Sequence, residues 1–166
     1  VELIRGRIFK MSPAPNRRHQ QISGNIFYEL KRFVQRGPCE VYSAPFDVRL
    51  PRKSASDKDI TTVLQPDVCV VCDTNKLDEK GCVGAPDIVV EVLSPGNNAK
   101  ELKNKYEVYE EAGVPEYWVV SPQDETVLVY TLTGGRYTAS RMMVAGDSLQ
   151  STALDGFSLN IARLFE

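Results

Sequence analysis

Apolar side chains recur along this chain with two periods. From Arg17 to about Gln35 they fall at Ile22, Ile26, Leu30 and Phe33, with Phe27 and Val34 beside them. That spacing predicts an amphipathic helix, which Gly37-Pro38 ends. Ahead of it, Glu2 to Met11 reads as a strand entering a turn at Gly6, followed by a loop at Ser12-Pro13-Ala14-Pro15-Asn16. Glu40 to Leu50 alternates as a strand does, and the polar stretch from Pro51 to Asp59 reads as a surface loop. Two valine-rich runs follow, Asp67 to Cys72 and Asp87 to Leu93, bounded by proline and apolar on both faces as central strands are. A polar loop through Asn75, Asp78 and Lys80 joins them. After Ser94-Pro95-Gly96 a second helix is expected from about Asn98 to Ala112, stopped by Gly113. Glu116 to Val120 is a further strand, and Thr126 to Thr131 with Arg136 to Met143 form a hairpin turning at Gly134-Gly135. The tail holds a short helical or extended piece ending at Phe165.

The order strand, helix, three strands, helix, strand, hairpin predicts an α/β fold. Its mixed β-sheet is flanked by α-helices, with at least one parallel crossover around the second helix. A length of 166 residues suits a single domain spanning 1–166. The 42% apolar and 25% charged content is that of a globular chain, which sets disorder and disulfide-rich miniproteins aside. A core of this size needs neither disulfide nor structural metal to fold.

The only histidine is His19, which excludes zinc sites built on several histidines and leaves one residue for any histidine-based triad. Apolar runs are strand-sized, against the roughly 20 residues that span a bilayer. With no secretory signal ahead of Val1, a soluble cytoplasmic protein without a membrane partner is expected. Cys69 and Cys72 form a C-x-x-C, but on a strand residues three apart face opposite ways, so the spacing does not close around a metal. With Cys39 and Cys82 they read as small buried hydrophobes in a reducing compartment.

The net charge of −2 hides an asymmetry: residues 1–53 carry eleven Lys or Arg against four Asp or Glu, and residues 54–166 nine against eighteen. The basic third includes Arg5, Arg17, Arg18, Arg49, Arg52 and Lys53, and gathered on one surface it would meet a polyanion. Scattered over a solvated surface, the same residues would mean nothing.

Acidic residues inside valine-rich strands point to chemistry. Burying a carboxylate costs several kcal/mol unless a cation or strong donors compensate it. Glu91 lies in the middle of Ile88-Val89-Val90-Glu91-Val92-Leu93, and Asp67 opens the neighbouring strand after Pro66. If the two strands pair, these acids come within metal-bridging distance, and two hard oxygens plus water and a phosphate suit Mg²⁺ or Mn²⁺. On the second helix Leu102, Lys105, Tyr106 and Tyr109 stand at i, i+3, i+4 and i+7, so Lys105 points at the sheet. There it would compensate the acids, stabilise charge growing on a phosphorane-like transition state, or orient and help deprotonate an attacking water. The plainer reading is a helix-surface pair of Glu101 with Lys105, worth roughly 0.3 to 0.5 kcal/mol.

These motifs in order resemble the Uma-type restriction-endonuclease family of the PD-(D/E)XK nuclease superfamily. The likeness rests on Gln65-Pro66-Asp67-Val68, on Ala85-Pro86-Asp87 running through Glu91 to Ser94-Pro95, on Lys105 and Tyr109, and on Gly113-Val114-Pro115-Glu116-Tyr117-Trp118. Glu2-Leu3-Ile4-Arg5-Gly6 and Ser12-Pro13-Ala14-Pro15 with His19 also match, so it covers residues 2–122. The resemblance implies a restriction-endonuclease-like, metal-dependent endonuclease acting on DNA. Asp67 and Glu91 would hold the ion and Lys105 would assist the attacking water. Leu93 stands where the superfamily places a lysine two residues after the acid, and Lys105 matches the position to which the family moves it. Glu2 matches an N-terminal glutamate able to reach the site from the first strand, and His19, directed at the sheet, is by default a satisfied core histidine and, in the alternative, a contact for active-site water or phosphate. Asp87, only four residues before Glu91, is expected to open its strand rather than bind metal. Cleavage of a duplex takes two cuts, which is the reason to expect a homodimer. Two other readings stay open: a non-catalytic member of the fold that binds nucleic acid or protein, and a metal-dependent hydrolase of a small phosphorylated substrate.

Overall fold

The two valine-rich runs form the middle of the molecule. The computed structural model describes residues 1–10, 14–51 and 60–166. Along the chain come β1 (Glu2–Ile4), β2 (Arg7–Phe9), α1 (Arg17–Val34), β3 (Glu40–Ser43), β4 (Val48–Pro51), β5 (Ile60–Leu64), β6 (Val68–Val71), β7 (Leu77–Asp78) and β8 (Gly81–Val83). Then follow β9 (Ile88–Val92), α2 (Ala99–Ala112), β10 (Glu116–Ser121), β11 (Thr126–Thr133), β12 (Arg136–Ala139), β13 (Ser148–Gln150), β14 (Ser158–Asn160) and α3 (Ala162–Phe165). One six-stranded sheet has the order β12-β11-β10-β9-β6-β3, and a second β2-β1-β5-β4-β8-β7. β9 and β10 are parallel, with α2 as their crossover, and β6 runs antiparallel to β9. The mixed α/β architecture is the expected one, with a second sheet added to the one the sequence predicts.

Side-chain parity explains the layers. Even-numbered residues of the central strands (Val68, Val70, Ile88, Val90, Trp118, Val120) pack against α1 and the C-terminal hairpin and helix. Odd-numbered ones (Cys69, Val71, Val89, Tyr117) pack against α2 and the second sheet. α1 buries Ile22, Ile26, Leu30 and Val34, a continuous four-residue rhythm. Phe33 lies at the margin of that stripe, 44% exposed and edge-on to Phe157, so Val34 rather than Phe33 completes the buried face. Asn16 caps α1 by accepting from the His19 N–H, and Asn98 caps α2 by accepting from Glu101 N–H. Gly113 closes α2 in the left-handed conformation, φ +83°, where a side chain is strained.

Three expectations are corrected. Glu40–Leu50 is two strands in different sheets, because Pro45 has no N–H to donate to a ladder and the chain leaves one sheet after Ser43 to join the other at Val48. Four reduced thiols are not found: Cys39 and Cys72 form a disulfide, while Cys69 and Cys82 are buried and free. The register explains the bond, since Glu40 pairs with Val71 and the next positions outward are Cys39 and Cys72. Cys69 and Cys72 do face opposite sides, Cys69 toward α2 and Cys72 toward α1. Finally, β5, β7 and β8 were not expected. Of the anticipated loops, residues 11–13 and 52–59 lie outside the described residues. Among the described residues no helix is long and apolar enough to cross a membrane.

Candidate active site

Register carries the two strand acids together. Val68 pairs with Val90 across β6 and β9, so Asp67, one residue before β6, comes opposite Glu91. Asp67 Oδ2 accepts from the Val92 N–H at 2.7 Å, which ties it to that strand, and its Oδ1 lies 3.3 Å from His19 Nε2. From α2, Lys105 Nζ reaches Glu91 Oε2 at 3.2 Å, Glu2 Oε2 at 3.4 Å and Glu101 Oε1 at 3.9 Å. Tyr109, one turn further on, donates to Glu91 Oε1 at 2.8 Å. Glu2 comes from β1 of the other sheet and accepts from the Gln65 N–H at 3.1 Å. Gln65 Nε2 donates in turn to Asp47 at 2.8 Å. Glu2, His19, Asp67, Glu91 and Lys105 line the floor of one cleft of about 460 Å³, between α1 on one side and the Ser94–Asn97 turn with the start of α2 on the other, with Tyr109 and Asp47 behind it. Glu2, His19, Glu91 and Lys105 are 4%, 6%, 6% and 7% exposed, so the cleft reaches them only at its bottom.

Comparison with known proteins bears on this geometry. The sequence model of the Uma2 family, described as "Putative restriction endonuclease", matches residues 1–162. The chain belongs to the Uma2 family. A solved structure described as a "putative nuclease belonging to DUF820", from Anabaena variabilis, superposes with a TM-score of 0.77 and 19% identity, covering 99% of this chain and 88% of that one. That likeness shows the shared fold. A search of curated proteins gives no match.

All five residues singled out from the Uma2 resemblance, Glu2, His19, Asp67, Glu91 and Lys105, line the same cleft. Lys105 is no helix-surface lysine: it does pair with Glu101, but it is buried and closer to Glu91 and Glu2. Asp87 opens β9 by accepting from the Cys72 N–H at 2.7 Å and takes no part. Tyr109 and Gln65 belong to the motifs, but the sequence assigns neither a role. Tyr109's position in the Lys105 stripe was the available signal, whereas Gln65 acts through its main chain and gives none.

The electrostatics follow from burial. Desolvation, reinforced by Asp67 and Glu2 and only partly offset by Lys105 and the Tyr109 hydroxyl, pushes Glu91 up to about 7. Burial would pull Lys105 down, but Glu91, Glu2 and Glu101 together outweigh it and hold the ammonium above its ordinary value. Lys105 is therefore a fixed positive charge and hydrogen-bond donor at neutral pH, not a base that takes a proton from water. His19 is likewise pulled down by burial and raised by more through Asp67, the Val92 backbone and Glu91.

The donor set suits a divalent cation. Three carboxylates, on Glu2, Asp67 and Glu91, face one ammonium, which leaves buried negative charge for a cation to balance. Each oxygen of Asp67 and Glu91 has one neighbouring donor, which leaves a second lone pair on each for a metal. Among the described residues no group of three or more His, Cys, Asp or Glu forms a metal cage. Mg²⁺ asks for less, since it keeps several waters and takes one or two carboxylates with substrate phosphate.

Proposed function

We propose that this Uma2 protein is a divalent-metal-dependent endonuclease that hydrolyses phosphodiester bonds in DNA. The observation that carries the reading is the meeting of Asp67, Glu91 and Lys105, from two strands and the crossover helix, at the floor of one cleft. Asp67 and Glu91 would hold Mg²⁺ or Mn²⁺. When bound, the ion polarises the phosphoryl oxygens and lowers the pKa of a coordinated water.

The chain's own residues do the rest. Tyr109 fixes one oxygen of Glu91 and Lys105 the other, so that carboxylate has a single orientation. His19 and the Val92 N–H do the same for Asp67. Glu2 and Glu101 keep Lys105 protonated and aimed inward, where its ammonium neutralises charge growing on the phosphate oxygens. Asp67→Ala or Glu91→Ala should abolish nicking of supercoiled plasmid in Mg²⁺ while leaving the circular dichroism unchanged, and a chelator should abolish it in the wild type. Undiminished metal-dependent cleavage in both variants would reject the assignment. A nucleotide panel run beside the plasmid separates a hydrolase of small phosphorylated substrates.

One observation favours a second reading, a non-catalytic nucleic-acid-binding or protein-binding member of the fold. Every oxygen of Asp67 and Glu91 already has a protein donor, so the acids are satisfied in part without metal. Calorimetric titration with Mn²⁺ discriminates: heat that vanishes in Asp67→Ala supports the nuclease, and none in the wild type supports the binder.

A further inference from the structure

The wall of the cleft says what kind of strand enters it. Gln20, Ser23, Gly24 and Phe27 stand at i, i+3, i+4 and i+7 on α1 and form one side, with Leu93 and Leu102 on the opposing side. Phe27 is the only aromatic ring on the cleft among the described residues. Gly24 is out of place by helix propensity, since glycine in a helix interior weakens it. Nothing in the packing requires it, because a Cβ there would meet no atom within 4 Å. What its missing side chain leaves is free space one turn from Phe27, beside which a flat ring could lie against the helix.

Charge points the same way. Among the described residues, apart from His19, the only cation lining the cleft is Lys105, at the floor, while Glu2, Asp67, Glu91 and Glu101 are all acidic. A track for a phosphate backbone, paired or single, is lined by Lys and Arg. These walls offer apolar surface and neutral polar groups instead, which suit a base face and its edges. A volume of about 460 Å³ is that of a small-ligand site. A phosphate that reaches the buried floor would bring its neighbouring nucleotide out of the stack and into the cleft.

We infer that the Gly24–Phe27 wall is a nucleobase subsite, so that the substrate is DNA that is single-stranded or locally unpaired at the scissile phosphate. This rests on the nuclease reading for the phosphate's place at the floor but is tested by binding. The probe is a 12-nucleotide single-stranded DNA with one 2-aminopurine, compared with its blunt duplex. Each is mixed with the full chain in Mg²⁺ in a stopped-flow instrument, the fluorescence amplitude is read before turnover, and cleavage is followed afterwards. The wild type should bind the single strand at least tenfold tighter than the duplex and quench the probe. Gly24→Leu fills the space, improves helix propensity and should fold; it should lower single-strand affinity about tenfold. Phe27→Ala should lose the quenching, and Phe27→Tyr should restore it. Equal affinity for strand and duplex, a Gly24→Leu variant that binds like the wild type, or no DNA binding at all would overturn the subsite. If the preference is present but the wild type cleaves nothing in Mg²⁺ or Mn²⁺, the subsite stands and the nuclease reading falls. Cleavage without preference gives the reverse.

Discussion

Glu91 combines a buried carboxylate, two acidic neighbours and one ammonium, and its protonation couples the site to folding. Its folded value of about 7 lies above the ordinary 4.5. Between those pH values the folded chain keeps a proton that the unfolded chain has released, so stability falls as pH rises across the window and is flat on either side of it. His19, raised above 6.5, has the same sign: its contribution is complete below the unfolded value and is lost as pH rises through the folded one. Glu91→Gln removes the first of these and, of the second, only the last and smallest cause. Melting temperatures measured from pH 4.5 to 8 should therefore fall more steeply for the wild type than for Glu91→Gln, and parallel curves would mean that Glu91 does not titrate in this range. On the proposed function a metal would displace the same proton, so Mn²⁺ should restore most stability at the alkaline end. Tyr109→Phe removes a donor that holds the Glu91 value down. It should move the acid limb of the cleavage–pH profile upward without loss of the folded state, and an unmoved limb would remove Tyr109 from the site.

At the scale of elements, Glu116 is the instructive contrast with Glu91. It too is a carboxylate in an apolar strand and is 1% exposed, but it has only neutral donors. The Trp118 indole N–H donates to Oε1 at 2.7 Å, and the Ser151 and Thr152 hydroxyls with the Thr152 and Ala153 N–H groups donate to Oε2 at 3.0–3.2 Å. Four donors from the tail, with the Trp118 indole of β10 itself, make it a clasp that fastens the C-terminal hairpin to β10. Glu116→Ala strands buried donors at about 1–3 kcal/mol each, so a loss of about 3 kcal/mol or more is expected. That is a fall of roughly 6–12 °C in melting temperature, with a shift in Trp118 fluorescence. A change under about 1 kcal/mol would show that the tail holds without it.

The sequence made Glu91 legible because a charge interrupted a valine run, and Lys105 because it broke an apolar helix stripe. Their meeting with Asp67 followed from strand pairing. Glu116 carried the same signal beside Pro115 and passed unread, since its partners lie 35–37 residues away in a tail whose pattern specified no fold. β7 and β8 are too short to show a period. Their place depends on Gly81, where a Cβ would run into the Asp47 carbonyl and where φ is +130°. The Cys39–Cys72 bond depends on the register of β3, invisible until Glu40–Leu50 divides.

Across the whole molecule, the basic N-terminal third does not remain a free cationic face. Arg5 pairs with Glu107 and Glu111, Arg18 with Glu125, Arg32 with Glu29 and Arg49 with Asp78. Three of these arginines thus draw on the acidic remainder of the chain, and the asymmetry seen along the sequence is partly cancelled in space. Arg52 and Lys53 lie outside the described residues. A chain of net charge −2 whose cleft, among the described residues, sets four acids against one lysine and one histidine attracts a polyanion through few contacts. Each phosphate neutralised on a single strand contributes about −0.7 to the slope of log K against log salt, so two to four contacts predict a slope of roughly −1.5 to −3. Titration of the labelled 12-mer at 50–300 mM KCl measures it. A slope near −7 would require about ten phosphates on a continuous basic surface, and binding would then be governed by the outside of the protein rather than by the cleft.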